Sequence, residues 1–172
     1  AGSGPSPNLG LIVPPSARLG WGNDATRVPF ADVAVRLQQV VDHAWLGSTN
    51  QFPLARLGLR RDGGEANTPN ARVDVEIQLG YSSRLAAQML PSFSGNADLG
   101  PLTRVRNGTI DLPGMNARSE SSGAFDHVIA FDAPFPLATS PGRNLLIEVL
   151  VRGNSHGNNA YRSWFDAVTE VG

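Results

Sequence analysis

The chain is expected to be all-β: a two-sheet antiparallel sandwich, jelly-roll-like, with an extended N-terminal strand segment. Three observations predict it. Apolar and polar residues alternate with period two over several stretches of seven or eight residues. Clusters of Gly, Pro, Asn and Asp punctuate those stretches at short intervals. Only one stretch, Ser83 to Leu90, has the composition of a short helix. Many short strands with such turn spacing imply two packed sheets.

The first fifteen residues, AGSGPSPNLGLIVPP, set a short apolar strand on a flexible lead. Leu9, Leu11 and Val13 alternate with Gly10 and Ile12, and Pro14 and Pro15 form a stiff hinge behind them. The organisation expected is therefore an extension over residues 1–20, with this strand and hinge, and one domain over residues 21–172. Val33 to Val41 is a weaker strand candidate. Leu54 to Arg61 alternates with Ala55, Leu57 and Leu59 on one side and Arg56 and Arg60 on the other. Arg72 to Leu79 alternates throughout, with Val73, Val75, Ile77 and Leu79 on one face, as in a sheet wetted on its other side.

Leu102 to Arg106 and Thr109 to Leu112 are further candidates, and Asn107-Gly108 between them is a type I′ hairpin signal. Phe125, His127, Ile129 and Phe131 share one face of the next strand. Leu145, Ile147, Val149 and Val151 are expected inward on the one after, with Glu148 and Arg152 in solvent. Tyr161 to Val168 is the last candidate.

The bulk composition removes several function classes. The chain has 172 residues, no Cys, and fourteen basic residues that are all Arg against fifteen acidic ones. A net charge of −1 gives no electrostatic footprint for nucleic acid. No apolar run is long enough for a membrane helix. The Ala-Gly-Ser start without Met is the pattern left when an export signal is removed after a small residue, so a secreted protein, extracellular or at the cell surface, is expected.

Catalytic patterns are sparse. There is no Gly-x-Ser-x-Gly, and Ser92-Phe93-Ser94-Gly95, the nearest approach, reads as a loop. His43, His127 and His156 are scattered, and His127 on an apolar strand face reads as a core histidine. Asp126 with Asp132, and Asp74 with Glu76, are carboxylate pairs that read as solvated faces. The expectation is that the protein is not an enzyme and has no cofactor. The loop carrying Asp62, Glu65, Asn67 and Asn70 holds oxygen ligands at calcium-like spacing, but lacks the ordered Asp-x-Asp-x-Asp pattern and reads more simply as a polar hairpin loop. Asn107-Gly108-Thr109 is an N-glycosylation sequon, so Asn107 with Thr109 is the modification candidate. Trp21, Trp45, Trp164, Tyr81 and Tyr161 are the aromatics on which a sugar ring could stack.

A series of segments carries a resemblance: Arg36-Leu-Gln-Gln-Val-Val-Asp42, Leu57-Gly-Leu-Arg60, Val73-Asp-Val-Glu-Ile-Gln-Leu79, Phe125-Asp-His-Val-Ile-Ala-Phe131 with Ala-Pro-Phe135, and Asn144-Leu-Leu-Ile-Glu-Val149. In this order they resemble a group of secreted bacterial β-sandwich proteins of unknown activity, often found beside PEP-CTERM sorting tails. The resemblance covers roughly residues 26–168 and implies export and a jelly-roll-like sandwich. It offers no catalytic residue. It also implies a further strand after the segment matching Tyr161 to Val168, whereas the chain ends at Gly172.

A sheet short of one strand and a detached apolar strand are complementary. The function expected is a structural subunit of an extracellular filament, whose partners are copies of itself and whose Leu9, Gly10, Leu11, Ile12 and Val13 enter a neighbouring subunit by donor-strand logic. The alternative is a monomeric secreted carbohydrate-binding or cell-surface module, with glycans as partners and that strand in its own sheet.

Overall fold

A computed structural model describes residues 24–26, 29–30, 34–46, 52–60, 68–114, 125, 127–157 and 165–167; for 24–26, 52 and 165–167 it describes the backbone alone. Among these residues the chain forms eight strands: β1 (Asp24–Thr26), β2 (Val35–Val41), β3 (Phe52–Leu59), β4 (Ala71–Ser82), β5 (Thr103–Leu112), β6 (His127–Leu137), β7 (Asn144–Asn154) and β8 (Phe165–Ala167). The donor-strand candidate Leu9–Val13, the hinge Pro14 and Pro15, and Asp62, Glu65 and Asn67 of the calcium candidate lie outside the described residues.

All pairings are antiparallel. The main sheet has the order β2-β7-β4-β5, while β3 pairs with β6 and β1 with β8. The pairing is nested: first strand with last, second with seventh, third with sixth, fourth with fifth. This is the connectivity of a long hairpin rolled on itself, as in a jelly roll. Among the described residues no ladder joins β8 to β3, so β1-β8 and β3-β6 stand as separate pairs.

The core lies between the main sheet and the β3-β6 pair. Val73, Val75, Ile77 and Leu79 of β4 are buried, as their alternation requires, and meet Ile129, Phe135 and Leu137 of β6 in one apolar cluster. Each such side chain contributes about 1.5–3 kcal/mol by leaving water. Tyr81 ties the two sheets: its hydroxyl donates to the Pro136 carbonyl at 2.9 Å and accepts from the Ala138 amide at 2.8 Å. Between β6 and β7, Pro141 and Gly142 make the tight turn their types suit, with Gly142 at φ 75° and Ser140 bridged to Arg143.

Several expectations are corrected. Asn107 and Gly108 do not turn a hairpin: β5 runs straight through them, pairing Asn107 with Glu76 and Gly108 with Val75. The Asn-Gly pair does supply a positive φ, 124° at Gly108, but inside a strand that the β4 ladder holds extended. The helix expected over Ser83 to Leu90 is only a single 3-10 turn, Ala86–Gln88. A four-residue helical turn instead occupies Phe93–Asn96, part of the stretch read as a loop. In β3 a register shift between Leu54 and Arg56 turns Ala55 outward and brings Leu54 to the core with Leu57 and Leu59. Phe125 leaves the face of His127 and Ile129: it sits on the outer side of the β3-β6 pair, where its ring lies 3.0 Å from the position a Cβ on Gly58 would take.

Glu148 is the sharpest correction. β7 is central in its sheet and covered on both faces, so Glu148 is buried rather than solvated. The cover is the segment after β4. Gln38 Nε2 donates to Glu148 Oε2 at 2.6 Å and to the Phe93 carbonyl at 3.1 Å, and Asn96 Nδ2 donates to Gln38 Oε1 at 3.0 Å. Arg36 completes the set, 2.9 Å from Glu148 Oε2 and stacked over the Phe93 ring at 4.5 Å. The buried charge is thus hydrogen-bonded and paired, which is the condition for tolerating it.

Candidate functional site

Sheet edges are the surfaces of this molecule with chemistry left to offer, because an edge strand presents a row of backbone donors and acceptors. The edges of β5 and β3 face different surroundings.

The β5 edge is occupied by side chains. Arg106 on β5 and Asp132 on β6 form an ion pair at 2.6 Å across the gap between the sheets. Each also holds a backbone group of β5: Asp132 Oδ2 accepts from the Asn107 amide at 2.9 Å, and Arg106 Nη2 donates to the Thr109 carbonyl at 2.8 Å. Residues two apart on a strand point their backbone groups the same way, so both contacts lie on the side away from β4. The Asn107 amide, then the Arg106 guanidinium, hold the Asp132 carboxyl below the usual carboxylate range.

Beside this pair a cleft of about 480 Å³ opens between β5 and β6. Its walls are the unbroken runs 109–113 and 127–130, joined by Arg106. Side chains alternate along a strand, so unbroken runs mean that the strand edges themselves wall the cleft. The volume suits a small molecule, but its lining includes no Phe, Tyr or Trp on which a sugar could stack.

The β3 edge is different. β3 pairs with β6 on one side, and among the described residues no ladder occupies its other side. Its core-facing Leu54, Leu57 and Leu59 are only half buried, although Ile129, Phe135 and Leu137 on β6 are 2–5% exposed. Nearby, on the outer face, Val128 is 54% exposed and Phe125 36%.

The other polar clusters are structural ties. Arg152 on β7 donates to Asp74 Oδ1 at 2.9 Å, to Glu76 Oε2 at 3.0 Å and to Asn107 Oδ1 at 2.6 Å, lacing three strands on the outer face of the main sheet. The hydrogen bond from Arg152 pulls the Asp74 carboxyl below its usual range and raises the guanidinium above its own. Asp98 is held down first by the Ser83 hydroxyl, in a contact that closes the loop after β4. Asn144 receives the His43 amide at 2.8 Å and donates to the Arg84 carbonyl at 2.7 Å.

The structure scatters the sequence candidates. The sequon residues Asn107 and Thr109 are exposed in mid-strand, not at a hairpin tip, and Asn107 already binds Arg152 through its carbonyl oxygen. Asn70 accepts from the Gly114 amide and its carbonyl lies 2.6 Å from His156 Nε2. His127 is 1% exposed, a core histidine as expected. Asp74 and Glu76 are tied to Arg152, and Asp126 lies outside the described residues. Of the aromatic candidates, Tyr81 is buried and Trp45 lies partly buried against the core; Trp21, Trp164 and Tyr161 lie outside the described residues. No metal-binding cluster of His, Asp or Glu occurs among the described residues, and none of their helices is long and apolar enough to cross a membrane.

Sequence reasoning did not single out Arg106, and it weighed Asp132 only as half of a carboxylate pair. Neither has a local signal, since the two are 26 residues apart and on different sheets. Of the segment Tyr161 to Val168, residues 165–167 are described and form β8, paired with β1. No protein-family model matches this chain, and no curated protein or solved structure shows significant similarity to it.

Proposed function

We propose that this protein is a structural subunit of an extracellular filament, assembled head-to-tail by adding the strand Leu9–Val13 of one copy to the β3 edge of the next. The observation that carries the reading is the unequal cover of the core: Leu54, Leu57 and Leu59 stay half buried on a strand that, among the described residues, carries no ladder on its other side. An alternating Leu9, Leu11, Val13 face matches what that edge lacks. Burying those three side chains contributes about 5–9 kcal/mol before ordering costs, and backbone pairing adds to it. A head-to-tail contact does not close on itself, so it propagates.

The test is electron microscopy of the full chain beside a variant lacking residues 1–15. Filaments from the full chain and none from the variant are expected; filaments of unchanged pitch without the segment would overturn the reading. One observation favours a second reading, a monomeric carbohydrate-binding or surface module: the cleft beside Arg106 has the volume of a small-ligand site. Glycan-array binding by a monomer, lost in Arg106→Ala, is the result that would install it instead.

A further inference from the structure

The ion pair between β5 and β6 does something a surface salt bridge ordinarily does not. Both partners spend a hydrogen bond on the backbone of an edge strand, and on the side an incoming strand would need. A strand that added to β5 would have to take over the Asn107 amide and the Thr109 carbonyl, and both are occupied. It would also have to displace a carboxylate and a guanidinium, half and one-quarter exposed, from positions each holds with two bonds.

We propose that Arg106 and Asp132 form an edge guard: they deny β5 to strand addition by a second copy of this chain and so leave assembly to other edges, β3 among them. The first half stands on the β5 geometry alone; the second rests on the filament reading. The occupant excluded is another β5. Two antiparallel copies of one edge strand are related by a two-fold axis and pair with themselves, the commonest closed contact between identical chains. The β5 edge is otherwise suited to this. Its ladder with β4 shifts register once, between Arg104 and Arg106, and is regular from Arg106 to Leu112, and Asp111, two residues beyond Thr109, directs its backbone to the same open side.

The guard is also economical in position. The inward residues of β5, Val105, Ile110 and Leu112, are buried, so its core face resembles that of an interior strand. Natural edges are protected against pairing by charges, bulges or cover. Here the protection is a pair recruited from two strands, each side chain reaching backbone.

The experiment uses the full chain with Asp132→Ala, Arg106→Gln and the double variant Asp132→Ala/Thr109→Lys, each checked by circular dichroism for the native strand spectrum. Mass is read by light scattering, and protection of the Asn107 amide by hydrogen exchange. Two variants open the guard from opposite sides, so loss of folding in one leaves the other to decide. Asp132→Ala is expected to expose the Asn107 amide and Arg106→Gln to free the Thr109 carbonyl, and each should roughly double the mass of the smallest species, as a closed two-fold pair does. Thr109→Lys, an exposed position on the same edge, should return the mass to that of the wild type by placing like charges opposite each other. Faster Asn107 exchange with no change in mass would overturn the guard, as would association that Thr109→Lys leaves untouched. If wild-type protein forms no filaments yet the opened variants pair, the guard stands and the filament reading falls.

Discussion

The β3 and β5 edges are built from similar material and end in opposite states. Both strands run antiparallel to one established partner, and both place apolar residues on the shared core. On β5 the inward residues are buried and the outward backbone is held by Arg106 and Asp132. On β3 the inward leucines are half buried, and among the described residues no ladder occupies its other side. The difference teaches that edge protection follows core cover here: the well-covered strand is guarded, and the strand with half-buried leucines carries no second ladder among the described residues.

Paired substitutions test that difference most directly. Ile129 and Leu57 face each other in the β6-β3 ladder. Ile129→Ala should destabilise the unassembled subunit by about 2–5 kcal/mol in chemical denaturation, the usual range for emptying a buried aliphatic site. Leu57→Ala should cost clearly less, about 1–2 kcal/mol, because part of its surface is already in water. In filaments the gap should narrow as β3 gains cover; equal losses in the free subunit would mean that β3 is covered already.

Glu148→Ala comes next. It strands Gln38 and Arg36 beneath the segment after β4, and should lower stability by about 1–3 kcal/mol, the penalty for unsatisfied buried groups. Since that contact lies on the far face of the main sheet, neither edge should change its association. Altered filament assembly in this variant would break the assignment of assembly to the edges.

Acid should act on the guard before it acts on β3. Asp132 is held low by the Asn107 amide and Arg106, and Asp74 by Arg152. A carboxyl depressed in the folded state stabilises the fold above its unfolded pKa, and that contribution is lost as pH falls through the folded value. Asn107 exchange should therefore stay slow through mildly acid pH and rise only below the ordinary aspartate range. Loss of protection near neutral pH would contradict the Asp132 contact.

The smallest effect is expected at Arg152. Its partners are partly exposed, so Arg152→Lys should shift stability by no more than about 1 kcal/mol. A larger loss by thermal unfolding would mean that the lacing of β7, β4 and β5 holds the guard's strand in register.

Strand character was legible wherever one face meets the core and the other meets water. The run Arg72 to Leu79 shows this: its alternation survives intact in β4, because burial on one side demands period two. His127 was legible for the same reason. Alternation misled wherever a strand is covered twice or interrupted. Glu148 holds a position that alternation reads as outward on a strand covered on both faces, and Ala55 lost its face to a register shift. Asn107-Gly108 carried a correct local message, tolerance of positive φ, but a strand ten residues long used it without turning.

By itself, then, the sequence determined the period, the class and most inward faces, since these depend on neighbours within a few residues. It also supplied the alternating Leu9, Leu11 and Val13. Tertiary structure alone decided which strands pair, that β8 closes on β1, that Glu148 is roofed by Gln38 and Asn96, and that Arg106 meets Asp132. Those outcomes join residues 26 to more than 100 positions apart. Contacts at such separations depend on how the strip is rolled, and no local period encodes that.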